Sequence, residues 1–435
     1  MKPSLRLLAL ALAALVTSAH VGDTNTHFRG LAGAYPVRVV VRHPGVVPGL
    51  ADITIRVEGE GVRGVTVQPV PPMLGLEGAP PPDAARAVPG ESGLYTAELW
   101  FMTSGTYSVH VAVDGIAGGG TALVPVISIA TRRLSLGPDL ALLLIALGVL
   151  LAAGLVTIVR AAVRDSVMEA GELPDPSHVR RGRIASVVTV ALIVVLLTGG
   201  RAWWGAEDAA YQSTMFEPID VQVTADDAAG MLHLALVDPD WLARSWTPIV
   251  PDHGKMMHAF LVRLPDQDAF AHVHPQPLGR DSFRLALPPL PPGDYAFYAD
   301  VVHESGFAQT LRDTVRIGLR PPAGGADPDD AWWTGRPGIV QATATPAVAR
   351  FDNGSTLTLE RAGEATVTLD RELTMRFIAR EPDGSATPLD PYMGMAAHVA
   401  VRRADGGVFV HLHPSGSIAM ASQRQIILAE TAHLP

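Results

Sequence analysis

Two uninterrupted apolar runs, 140–159 and 184–200, constrain this 435-residue chain more than any other feature. A helix crossing the hydrocarbon core of a bilayer needs about 20 apolar residues, and the first run has that length. The second is shorter and is followed by Trp203 and Trp204, side chains suited to a membrane–water interface. Neither run carries Asp, Glu, Lys, Arg or His, so the pair reads as an anchor and not as the core of a pump or channel. A pair of buried core helices is the other reading of the same pattern.

The flanks give an orientation. Arg160, Arg164, Arg180, Arg181 and Arg183 lie between the runs, which places 160–183 on the cytoplasmic side by the positive-inside rule. Arg132, Arg133 and Arg201 lie just outside the spans and weaken that bias. Residues 1–19 resemble a secretory signal: Lys2 and Arg6, an apolar stretch from Leu7 to Val16, then Thr17-Ser18-Ala19. Cleavage there leaves His20 first, whose amine and ring are a conceivable copper chelate; retention makes the segment a further anchor. Both lines place 20–139 and 201–435 in the periplasm or at the exterior, with the chain held in a bacterial cytoplasmic membrane.

The exported parts read as β structure. Segments 36–42, 51–57, 95–101 and 105–113 alternate apolar and polar residues with turns every 8–12 positions. With 42 Gly and 36 Pro, turn-rich sheets are favoured over helical bundles. The expected fold is mainly β: three immunoglobulin-like sandwiches at 20–135, 206–318 and 339–435, with the two-helix transmembrane hairpin (140–159 and 184–200) between the first and second. The Pro-, Gly- and Asp-rich stretch 319–338 reads as a linker.

An internal repeat lies in the C-terminal half. Residues 247–258 (TPIVPDHGKMMH) align without gaps to 387–398 (TPLDPYMGMAAH), and 270–275 (FAHVHP) to 409–414 (FVHLHP). Strand side chains alternate faces, so His272 shares a face with His274, and His411 with His413. Hairpin pairing then sets His258 opposite His274 and His398 opposite His413, giving three imidazoles on one face of each ribbon. The candidate ligands are His253, Met256, Met257, His258, His272, His274 and His303 in the first copy. In the second they are Met393, Met395, His398, His411, His413 and Met420.

The chain contains no Cys, so any metal must be held by imidazole, thioether or carboxylate. Imidazole with thioether suits copper, with zinc as the alternative. The other reading is structural: histidines among apolar neighbours that hydrogen-bond to backbone, and methionines that fill a core.

Segment 257–263 with 270–275, together with the Gly-x-Tyr hairpins opening at Gly105 and Gly293, resembles YtkA-like and FixH-like periplasmic domains. The resemblance implies an immunoglobulin-like sandwich and a link to copper handling, with a copper transporter or an oxidase-assembly protein as partner. A nucleophile elbow, phosphate loop and zinc-protease motif are all missing, so no enzyme is expected. The net charge of −10 offers no footprint for nucleic acid. The expectation is a tethered exported protein that binds or passes copper; the alternative is a non-catalytic interaction scaffold.

Overall fold

The computed structural model describes residues 25–71, 74–166, 168–169, 171–216, 219–237, 248–318, 327–335, 347–362 and 374–431. The signal segment 1–19 lies outside them. The fold is mainly β, with several antiparallel sheets and three α-helices among the described residues. The chain divides into two compact units: Gly45–Val47 with Ile129–Glu217, and the remainder.

The smaller unit is built on the two apolar runs. They form helices Pro138–Arg164 and Pro176–Ser213, both long and apolar enough to cross a membrane. Each opens with proline in its first turn, where the missing N–H costs nothing, and the Asp175 carboxylate accepts from His178 N at 2.9 Å to cap the second. Both helices extend beyond the apolar runs, the second through Trp203 and Trp204 to Ser213. The region expected as a 24-residue cytoplasmic loop is therefore mostly helical. The helices touch where Gly182 faces the first helix; a Cβ there would lie 3.3 Å from Arg160 O. Leu142, Leu150, Val187 and Leu196 are exposed along the pair, apolar surface of the kind a bilayer solvates.

In the larger unit, the N-terminal sheets carry the expected alternation. Tyr35–Arg42 buries every second residue, and with Gly49–Val57 and Leu94–Phe101 it forms one sheet. Val62–Val70, Gly105–Gly115 and Gly118–Ser128 form the sheet that packs against it, enclosing Val39, Ile53, Ile55, Leu99, Val109 and Val124.

A second sandwich follows. Strands Val221–Asp226, Met231–Leu236 and Ser282–Ala286 form one sheet. Strands His258–Leu264, Ala269–Val273, Gly293–His303 and Ala308–Ile317 form the other. Parity sorts the second sheet into two faces. Ala259, Leu261, Ala271, Val273, Tyr295, Phe297 and Ala299 point into the sandwich core. Their even-numbered neighbours on the first and third of these strands, Phe260, Val262, Ala296 and Tyr298, point outward.

That outer face is covered by the C-terminal region, which departs from expectation. In place of an independent third sandwich, its described residues form a three-stranded sheet, a separate hairpin and helix Met420–Thr431. The hairpin, Val399–Arg402 with Phe409–Leu412, lays Phe409 flat on Tyr298, with ring centroids 4.1 Å apart and planes 4° apart. Phe409 also touches Phe260 at 5.2 Å. Because the hairpin has only two short strands, its apolar face has no sheet of its own to cover it and uses the second sandwich instead. The described part of the expected linker, residues 327–335, is structured too. Ala331–Thr334 adds an edge strand beside Ala269–Val273, with Phe270 opposite Trp333.

The hairpin's far end meets the first sandwich. Arg29 N donates to Ser415 O at 2.7 Å and Ser417 N to His27 O at 3.0 Å, while Ile418 enters the N-terminal core. Gly416 lies at φ 121° with His27 O where a Cβ would be, so no side chain fits there.

Phe409→Ala deletes the buried ring that seats the hairpin, a loss of about 3–5 kcal/mol. Hydrogen exchange in the full chain should show protection falling across 399–412 and 258–264, with strands 35–57 unchanged. Unchanged protection at 399–412 would mean that the hairpin is held by other contacts.

Candidate metal centre

The outward-facing parity of one sheet and the underside of the hairpin bring seven histidines together. Phe260 pairs with His272 across the first ribbon, so His258 continues opposite His274. Val399 pairs with Leu412 across the second, so His398 continues opposite His413. Each ribbon presents three imidazoles on one side, and the two sides face each other. Ring centroids of His272 lie 5.8 Å from both His398 and His411, and His258 lies 5.9 Å from His411. The two ribbons, expected in separate domains, share one buried site.

The seventh ring is delivered by the repeat's turn. Asp252-His253-Gly254-Lys255 closes with paired backbone bonds between Asp252 and Lys255, and Tyr392-Met393-Gly394-Met395 closes the same way. His253 (φ 49°) and Met393 (φ 53°) both take the left-handed conformation, followed by glycines at 81° and 78°. The first turn sends His253 across to the second ribbon, 5.5 Å from His398 and 5.3 Å from His413. Two all-histidine groups with mutually close donor atoms result: His258, His272 and His274, all buried, and His253, His398 and His413, of which the first two are partly exposed and the third is buried. Donor atoms in each lie within 4.8 Å of one another. Nitrogens around a tetrahedral ion at about 2.0–2.1 Å are about 3.4 Å apart, so small ring rotations close either group.

Other candidates fall away by parity. His303 shares its face with Val301 and Phe297 and meets the Gln309 amide at 2.7 Å, outside the cluster. Met257 is fully buried in the sandwich core on the opposite face, and Met256 packs against the same core. Met420 is exposed at the start of its helix. Met393 and Met395 belong to the turn that presents Tyr392, and neither is joined to the rings by a described contact.

Carboxylates and a phenol hold the rings. The His274 Nδ1 lies 2.9 Å from Asp330 Oδ1, both side chains nearly inaccessible, and the His411 Nδ1 lies 3.1 Å from Asp300 Oδ2. A carboxylate only accepts, so each ring places its proton on Nδ1 and leaves the Nε2 lone pair directed inward. Lys255 pairs with Asp327 at 2.5 Å and Asp329 at 2.8 Å, tying down the segment that supplies Asp330. Asp252 is buried, which raises its pKa, and its Oδ1 accepts from Ala421 N at 2.7 Å, at the start of the last helix.

Proton counting exposes a deficit in the inner group. Four contacts run in series: Asp252 O to His258 Nε2 at 3.1 Å, His258 Nδ1 to His272 Nε2 at 3.2 Å, His272 Nδ1 to Tyr392 Oη at 3.2 Å, and Tyr392 Oη to Asp329 O at 2.5 Å. The end groups are carbonyls and only accept, so His258 and Tyr392 donate outward. One proton on His272 then serves two contacts. When it lies toward Tyr392, lone pairs of His258 and His272 face each other across 3.2 Å, close to the nitrogen spacing around a bound ion.

The rings resist supplying the missing proton. Burial and the neighbouring imidazoles hold His258 and His272 well below the usual range, His398 down to about 4 and His413 down to about 3. Burial and Asp329, Asp330 and Asp327 push the Tyr392 phenol up to about 12, so it stays protonated. His253 Nε2, His274 Nε2, both nitrogens of His398 and His411 Nε2 are buried without a hydrogen-bond partner. Each such atom costs about 1–3 kcal/mol if nothing occupies its lone pair. All-imidazole donors with fixed tautomers fit a divalent or monovalent transition metal. Asp252, Asp300, Asp330 and Tyr392 went unnoticed in the sequence, although Asp300 interrupts the otherwise uncharged run 295–302 of its strand.

A family model described as a domain of unknown function (DUF8832) matches residues 349–432, which contain the second ribbon and the last helix. No curated protein matches the chain.

With His258, His272, His398 and His413 held neutral in the folded state, the unfolded chain binds more protons below the ordinary histidine pKa of about 6.5. Stability of the metal-free protein is full above that pH and falls as pH drops toward about 4 and then about 3. Thermal melts from pH 7.5 to 4 should show this decline, flattened in the double variant His398→Gln/His413→Gln. Identical pH profiles for the two proteins would contradict it.

Proposed function

We propose that this protein is anchored by its helix pair in a bacterial cytoplasmic membrane, with its β-rich part in the periplasm or outside, where it binds or passes copper through the shared histidine cluster. The observation that carries the reading is the convergence of seven imidazoles, with buried nitrogens of His253, His274, His398 and His411 that lack a hydrogen-bond partner. Histidines serving only to pack would pair those nitrogens with backbone or with each other, as His258 does with the Asp252 carbonyl and His272. The arginines at 160–183 and the signal-like segment support the orientation. Copper is preferred because the donor set is imidazole without thiolate, which suits an oxidising compartment, and zinc is the alternative. The weak resemblance to YtkA-like and FixH-like domains points the same way, toward a copper transporter or oxidase-assembly protein as partner. Nothing in the cluster calls for an enzymatic role.

The test is titration of the detergent-solubilised full chain with Cu(I), Cu(II) and Zn²⁺ against competing chelators. Copper should bind in preference to zinc, and His258→Ala/His398→Ala should abolish tight binding. A double variant that binds like the parent leaves the scaffold reading in its place.

Tyr392→Phe removes the oxygen that holds the His272 proton away from the lone pair facing His258. Loss of such an outer partner costs about 10–100-fold in metal affinity. Measured by the same competition, Tyr392→Phe should weaken binding within that range, and an unchanged affinity would show that the tautomer of His272 is set by something else.

A further inference from the structure

Seven rings are more than one ion can use, and their arrangement is not a single shell. The buried group His258, His272 and His274 belongs wholly to the first ribbon, while the second group combines the partly exposed His253 and His398 with the buried His413. His411 belongs to neither group. Its ring lies 5.2 Å from His398 and 4.5 Å from His413 on one side, and 5.9 Å from His258 and 5.8 Å from His272 on the other. It thus touches two members of each group. Asp300 fixes its Nδ1, and its buried Nε2 has no partner.

We infer that the centre holds two metal ions, an outer one at His253, His398 and His413 and an inner one at His258, His272 and His274, and that His411 passes an ion from the outer position to the inner. This rests on the copper reading above and adds stoichiometry, entry side and path. The step is ligand exchange. A bond from the ion to His411 Nε2 forms as a bond to an outer imidazole breaks, then inner imidazoles replace the remaining outer ones. The ion keeps its oxidation state, and no proton moves because the rings are neutral ligands throughout. The partial exposure of His253 and His398 makes the outer group the entry, and the burial of all three inner rings makes the inner group the retaining site. Exchange of His253 between the repeats is what permits two groups; with His253 kept on its own ribbon, the second would have one donor fewer.

The experiment uses the full chain in detergent, loaded anaerobically with Cu(I), with stoichiometry by titration and release to an excess chelator followed by stopped flow. The parent should bind two equivalents and release them in two phases. His253→Asn should bind one equivalent and release it slowly, and His274→Asn one equivalent released quickly. His411→Asn should still bind two, with the slow phase retarded about tenfold or more. Parent protein saturating at one equivalent overturns the two-site inference while leaving copper binding intact. A His411→Asn slow phase matching the parent overturns the transfer role. No binding by the parent at all defeats the copper reading itself. The parent's stoichiometry decides the main point even if a variant fails to fold.

Discussion

The flat stack of Phe409 on Tyr298 is the contact on which the site depends. A two-stranded hairpin has too little surface to be stable alone, and this one completes its packing on the outer face of a neighbouring sandwich sheet. The aromatic contact sets the register between the two ribbons, and the histidines one repeat further along each strand are carried into apposition. The same geometry that buries Phe260 and Phe409 therefore buries His258, His272, His411 and His413.

Burying five imidazoles beside two partly exposed ones conflicts with their solvation, and the structure resolves the conflict only in part. Neutral rings avoid the charge penalty, as the depressed pKa values of His398 and His413 reflect. Asp330 and Asp300 each accept a hydrogen bond from His274 and His411, and Tyr392 can accept one from His272. What is left is a set of inward lone pairs with a shortage of protons between them. A protein that needed only packing would fill such a space with leucine or phenylalanine at lower cost. A cation supplies what the array lacks, since it satisfies lone pairs that no available proton does.

Much of this was legible in the residues. Period-two alternation located the strands of the first sandwich, and pleat parity placed His272 with His274 and His411 with His413 on single faces. The repeat at 247–258 and 387–398 also corresponds to two turns of the same backbone form. Three things were not legible. Parity also excludes His303 and Met257, but only once the core-facing side of their strands is known, which depends on the partner sheet. The apposition of the ribbons is a long-range packing event without a local signature. Asp330 lies in a stretch whose composition says linker, yet it is ordered because Lys255 and His274 both need its neighbourhood. His253 crosses to the other ribbon because a left-handed turn residue points away from its own strand pair.

The central claim is that imidazoles from both ribbons, and not thioethers, form the metal centre. X-ray absorption at the copper edge of the loaded full chain measures this directly. The account predicts a shell of about three nitrogens near 2.0 Å with the outer-shell scattering of imidazole rings. A first shell dominated by sulfur, or one without imidazole scattering, would contradict it.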